Sequence, residues 1–209
     1  GAGGDLFGGP GGGLEEAAAP PLQAAPFSAP RALLDLAQLV TLHRSDERFD
    51  LLYRLLWRLR DQPDLLRIAS DPDVARANHL AGEVRRAAHK MKAFVRFRLV
   101  HDEAGELYVA WFEPTHRVTR LTAPFFVRRY TNQRFSILTP DACALWDLRT
   151  LSFLPGADPA DAPGEDALED AWKTYYASTF NPARLKTAAM QREMPRRYWR
   201  NLPEAALIP

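Results

Sequence analysis

The 209-residue sequence predicts an α+β domain in which helices pack a small, mainly antiparallel sheet. Three observations predict it. From Leu33 to Ala88, apolar residues recur at three- and four-residue spacing, the period of a helix with one buried face. From Met91 to Leu154, short alternating or β-branched and aromatic runs are separated by Gly, Pro and Asp turns, the pattern of strands. Helical signals then return from Glu165. Residues 30–209 read as one domain. Residues 1–29, rich in Gly, Ala and Pro without a sustained hydrophobic period, read as a flexible linker or tail.

Each element has a local reason. Ser28-Ala29-Pro30 offers a capping hydroxyl and a proline for a first turn, and Leu33, Leu34, Ala37 and Val40 follow as an inward face. Ser45 is placed as the cap of a second helix, with Phe49, Leu52, Tyr53, Leu56 and Leu59 at helical spacing and Pro63 as its end. Asp71-Pro72-Asp73 opens a third helix toward His89. Trp57 and His79 are read as structural. Met91–Val100 and Glu106–Phe112 read as strands flanking a five-residue loop, His101 to Gly105. Thr122–Tyr130 reads as a short helix. Arg134–Thr139 and Ala142–Trp146 read as strands joined at Pro140-Asp141, with Leu151–Leu154 as an edge. Glu165–Phe180 reads as a helix carrying Trp172, Tyr175 and Tyr176, and Asn181-Pro182 starts another.

The formal net charge of +1 conceals segregation. Arg85 to Arg98 holds six Lys/Arg and one His in fourteen residues, with no acid. His116 to Arg134 has five arginines and no acid, and Arg184 to Arg200 has six Lys/Arg against Glu193 alone, whereas Asp158 to Asp170 has six acids and no base. Uncompensated like charge weakens a fold unless a partner neutralises it, so the basic runs point to an anion-binding surface. Aromatic rings interleave with them at Phe94/Arg96/Arg98, at Arg128/Arg129/Tyr130/Arg134 and at Tyr198/Trp199 beside Arg200. Arginine holds phosphate through forked hydrogen bonds, and flat rings stack on unpaired bases. The residues expected to contact DNA are Arg85, His89, Lys90, Arg96, Arg98, Arg128, Arg129, Arg134, Arg184, Lys186, Tyr198 and Trp199, with Tyr198 and Trp199 alternatively forming a packed terminal clasp.

Many chemistries lack a motif. The sequence has no phosphate-binding glycine loop, no dinucleotide fingerprint, no His-Glu-x-x-His and no Gly-x-Ser-x-Gly. The single Cys143 rules out an internal disulfide and a four-cysteine metal site within one chain, and fits a reducing cytoplasm. The five histidines are scattered without ligand spacing, so neither metal nor cofactor is expected. Catalytic candidates reduce to His89, Glu113, His116 and Asp141, which matter only if the fold brings them into one pocket. No apolar run reaches the length of a membrane span, and no signal peptide is visible. The first methionine is Met91, so the expectation is a piece of a longer protein.

Several marker segments resemble a known family. They are His89-Lys90-Met91-x-x-Phe94-Val95-Arg96-Phe97, Trp111-Phe112-Glu113-Pro114-x-His116, Ala123-Pro124-Phe125-Phe126-x-x-Arg129 and Ile137-Leu138-Thr139-Pro140-Asp141, followed by Trp172-x-x-Tyr175-Tyr176, Phe180-Asn181-Pro182-Ala183-Arg184-Leu185-Lys186 and Met194-Pro195-x-x-Tyr198-Trp199. Together they resemble a bacterial domain of unknown function associated with DNA metabolism or repair. Members of that family stand alone beside a radical-SAM protein, or are fused in front of an X-type uracil-DNA glycosylase. The closing Tyr198 to Ala205 is most similar to the fused kind. The resemblance implies a DNA-repair setting and a glycosylase or radical-SAM partner, but carries no catalytic residues. The glycosylase's water-activating loop and cysteine cluster are absent.

The expectation is therefore a cytoplasmic, non-catalytic DNA-binding or scaffolding module that holds a phosphate backbone in a basic groove. The alternatives are a nucleic-acid-processing enzyme (a nuclease or base-modifying activity) and an interaction module for an acidic protein.

Overall fold

Asp71-Pro72-Asp73 starts the longest helix, α3 (Pro72–Phe94), in a computed structural model that describes residues 28–162 and 196–201. The Asp71 carboxylate accepts hydrogen bonds from the N–H groups of Asp73 (3.0 Å) and Val74 (3.2 Å), and Pro72 occupies a position that needs no donor. At 1.5 Å per residue the helix is about 34 Å long. Its length lets one inward stripe serve two cores. Val74, Ala77, Leu80 and Ala81 pack with Leu33, Leu36 and Val40 of α1 (Arg31–Val40) and with Leu51 and Leu55 of α2 (Arg48–Arg58). Val84, Ala87, Ala88 and Met91 pack instead against the sheet and α4 (Thr119–Arg129).

The sheet has five strands in chain order: β1 (Arg98–Asp102), β2 (Gly105–Trp111), β3 (Phe135–Leu138), β4 (Ala142–Trp146) and β5 (Leu151–Pro155). Three of the four pairings are antiparallel, and β2–β3 is parallel. A parallel neighbour requires a crossover rather than a hairpin, and residues 112–134, including α4, supply it. The α+β class predicted from the sequence is the observed one, in a single domain. Phe112, Phe126, Phe135 and Ile137 form the centre of the sheet core. At Gly156 the backbone passes so close to the Pro140 carbonyl that an added Cβ would lie 2.0 Å from its oxygen, so only glycine fits.

Several local expectations need correction. The helix does not give way to a strand at Met91: α3 continues through Phe94, and β1 begins only at Arg98. Met91 and Val95 are four residues apart, a spacing that satisfies both a helical and a two-residue period. Ala93, which a two-residue period would place on the same face as them, is exposed. The loop after β1 is shorter than expected, because Asp102 pairs with Gly105 and only Glu103 and Ala104 turn. Gly105 has φ +106°, which explains the glycine. On α1, Leu33 and Val40 face inward as expected, but Leu36 joins them in place of Leu34, which is exposed. On α2 the inward residues are Leu51 and Leu55, while Phe49, Tyr53 and Trp57 are all more than half exposed. Trp57 and His79, read as structural, both lie on the surface, Trp57 beside Tyr53 and Arg60 and His79 3.6 Å from Glu83. Ser45 does not cap α2; its hydroxyl donates to Glu47 (3.2 Å), the residue before the helix. The expected tail at 1–29 and the helices expected from Glu165 onward lie outside the described residues, apart from Ser28 and Ala29.

Candidate nucleic-acid interface

Burial of Ala87, Ala88 and Met91 turns the remaining positions of the last α3 turns outward. Arg85, Arg86, His89 and Lys92 are exposed there, and Lys90 is half-buried. α4 ends the same way, with Arg128 and Arg129 exposed in its last turn. The two helices are in contact: the Lys92 ammonium lies 5.4 Å from the centre of the Phe125 ring. Arg128 and Arg129 follow Phe125 by three and four residues, on the same side of α4. The cations of the two helix ends therefore share one surface. Among the described residues, Arg85, His89, Lys90, Lys92, Arg128 and Arg129 form no ion pair, whereas Arg86 lies 3.9 Å from Glu83. Helix C-termini favour cations, but each carries only about half a negative charge, so a positive excess remains.

Val95 is the C-terminal cap of α3 and Tyr130 that of α4. The chain after both caps encloses a cavity of about 460 Å³, lined by Val95, Arg96, Phe97, Tyr108, Tyr130, Gln133 and Phe135. The walls are held by edge-on ring packing. Phe97 stands at 77° to Tyr130 (5.3 Å) and 83° to Phe126 (6.0 Å), and lies against Phe135 (5.6 Å). Arg96 Nη1 donates to the carbonyls of Ala93 (2.9 Å) and Val95 (3.3 Å), fixing its guanidinium at the end of α3.

The other residues expected to contact DNA have different placements. Arg134 donates to both Asp102 oxygens, at 2.9 and 2.6 Å, so its charge is met within the chain. That pairing pulls the Asp102 carboxyl down from its ordinary 3.8 to about 2. Arg98 opens β1, opposite Val109. Arg85 also borders a smaller cavity of about 210 Å³ that reaches Ala32, Asp35 and Asn78. Tyr198 belongs to the core rather than the surface: it is buried, stacked on Phe112 (5.1 Å, 10°) and Phe94 (5.9 Å), with its hydroxyl 3.1 Å from that of Thr115. The packed clasp is the version realised, since rings flanking a hydrophobic wall gain more by burial than by waiting for a base. Trp199 is half-buried, with the Arg196 guanidinium 5.8 Å from its ring. Arg184 and Lys186 lie outside the described residues.

The four catalytic candidates do not converge as a set. His89 is exposed on α3. Glu113 accepts from the Trp111 indole (3.0 Å) at the end of β2. His116 and Asp141 are linked through Arg44, whose backbone N–H approaches His116 Nδ1 (3.4 Å) and whose Nη2 donates to Asp141 (2.5 Å). The fold adds two partners that chain spacing concealed. Buried His43 lies against buried His116, with ring centres 4.1 Å apart and planes tilted by 30°, and its Nε2 lies 3.0 Å from the Glu83 carboxylate. One potential ligand atom from each of His43, Glu83 and His116 lies within 4.8 Å of the others, the spacing of a metal site. The hydrogen bonds oppose that use. The Ser45 N–H must donate to His43 Nδ1 (2.9 Å), so the ring proton sits on Nε2 and donates to Glu83. Burial pushes the Glu83 carboxyl up, but the His43 hydrogen bond and the neighbouring imidazoles outweigh it and leave the carboxyl below its ordinary value. As it stands the cluster ties the 43–45 loop to α3 and to the segment before α4. No regular spacing announces it, because its members come from three separate parts of the chain.

Fold and surface together define an α+β domain whose two basic helix ends meet at an aromatic cavity. The model of a domain of unknown function, DUF4130, matches residues 46–204, and the chain belongs to that family. No curated protein and no solved structure matches it. Among the described residues no helix is long and apolar enough to cross a membrane.

Proposed function

We propose that this domain binds DNA, holding the phosphate backbone on the cationic surface shared by the ends of α3 and α4, and that it does so without breaking a bond itself. One observation carries the reading: Lys92, Arg128 and Arg129 lie on one face with no acid from the described residues to neutralise them. Such a surface gains by releasing the counterions condensed on a polyanion. The setting proposed is bacterial DNA repair, beside or fused to a uracil-DNA glycosylase or radical-SAM protein. That part rests on the marker segments His89 to Phe97 and Trp111 to His116. Tethering to such a partner would raise its local DNA concentration.

The test replaces Lys92, Arg128 and Arg129 together with Gln and measures binding of a DNA duplex and a single strand across a salt series. Affinity should fall alike for all sequences. The log–log salt slope should shrink by roughly two to three, since each neutralised phosphate contributes about 0.7 to 0.9. An unchanged slope in a folded variant would transfer this surface to an acidic protein partner. A second reading, a nucleic-acid-processing enzyme, has the meeting of His43, Glu83 and His116 in its favour. Nuclease activity that depends on added divalent metal and is lost in His116→Ala would establish it.

A further inference from the structure

We infer that the cavity at the joined ends of α3 and α4 receives one unstacked nucleobase while the surrounding cations hold its phosphate. The inference rests on the DNA-binding reading and adds what that reading lacks, a reason to prefer unpaired strands. Four features argue for it. The volume of about 460 Å³ admits a base with its sugar, and the opening falls where two cationic helix ends converge. Phe97, Tyr108 and Tyr130 offer half-buried ring surface to a flat ligand, above the deeply buried Phe135 and Val95. The Phe97, Tyr130, Phe126 and Phe135 rings brace one another edge to face, so the slot needs little ordering on binding. Gln133, exposed in the cavity wall, carries an amide that both donates and accepts, the pairing a base edge presents. Its position is held by its own N–H donating to the Tyr130 carbonyl (3.1 Å).

This chemistry suits a base joined to a phosphate, whether in a strand or as a free nucleotide. A base inside a duplex shows only its edges and cannot enter, so duplex binding would use the cationic surface alone. Stacking of one base on an aromatic wall changes affinity by roughly five- to 150-fold.

The experiment uses the full chain and a labelled, mixed-sequence single-stranded 12-mer. The comparison is an oligomer of the same length whose nucleotides are all abasic, which keeps the phosphates and removes every base. Binding should be at least about fivefold tighter for the 12-mer. Tyr108→Leu, which keeps much of the volume and removes the ring, and Gln133→Ala, on an exposed side chain, should each reduce that preference while leaving abasic binding and the salt slope unchanged. Melting curves check that both variants fold. Deoxynucleoside monophosphates serve as competitors: displacement of the 12-mer at equal concentration would assign the cavity to free nucleotide, and weaker displacement to the strand. Equal affinity for the two oligomers would overturn the base pocket and leave phosphate binding standing. Failure of both oligomers and of the monophosphates to bind would overturn both.

Discussion

The helical lobe and the junction of α3, α4 and the sheet use arginine in opposite ways. In the lobe, most arginines meet an acid. Arg58 bonds to both Asp71 and Asp73, Arg54 to Asp73, and Arg76 to Glu47. The pairing with Arg58 also lowers the Asp71 carboxyl, which caps α3, so one carboxylate fastens two elements. At the junction, Lys92, Arg128 and Arg129 lie in the last turns of the two helices whose caps, Val95 and Tyr130, line an aromatic cavity, and no acid among the described residues matches them. The contrast teaches that a count of arginines says little about binding. A matched arginine organises its own fold, whereas a surplus one is available to a partner. Arg134 marks the boundary: it belongs to a basic run in the sequence, yet Asp102 from the neighbouring hairpin neutralises it.

The comparison breaks most severely if the two regions are separate folding units. Leu55, fully buried in the helical core, should cost about 2–5 kcal/mol when changed to Ala. Because α3 is common to both cores, circular dichroism and hydrogen exchange in the sheet should report the same destabilisation. Retained protection in β3 and β4 after loss of the lobe would show two units. A smaller effect sharpens the division of labour among cations. Arg58→Gln should lower the melting temperature by a few degrees while leaving the salt slope of DNA binding unchanged, the reverse of the Lys92, Arg128 and Arg129 replacements. A reduced slope in Arg58→Gln would place the lobe in the interface.

The smallest effect is in acid. The folded Asp102 carboxyl lies at about 2, below its ordinary 3.8. Its contribution is therefore fully present above about pH 4 and is lost as pH falls through 2. Arg134→Gln should be slightly less stable than the parent at pH 7, and the difference should close between pH 4 and 2 in denaturant titrations. The gap is small because the pair is partly exposed and solvent screens it. A gap that persists unchanged at pH 2 would mean that Arg134 acts through packing instead.

The sequence by itself determined the α+β class, the start of α3 at Asp71-Pro72-Asp73, the strands β2 to β5 and the charge segregation, because caps, turns and periodicity act through near neighbours. It also marked Arg128 and Arg129 as surface cations. Tertiary structure decided what neighbours cannot encode. Met91 and Val95 suit a helix and a strand equally, and only the shared core under α3 resolves them. Tyr198 became core because Phe94 and Phe112 lie on either side of it. The meeting of His43, Glu83 and His116, the neutralisation of Arg134 and the cavity between two helix ends all join residues far apart in the chain. Such distances are set by packing the sheet against α3 and α4, and no local signal carries them.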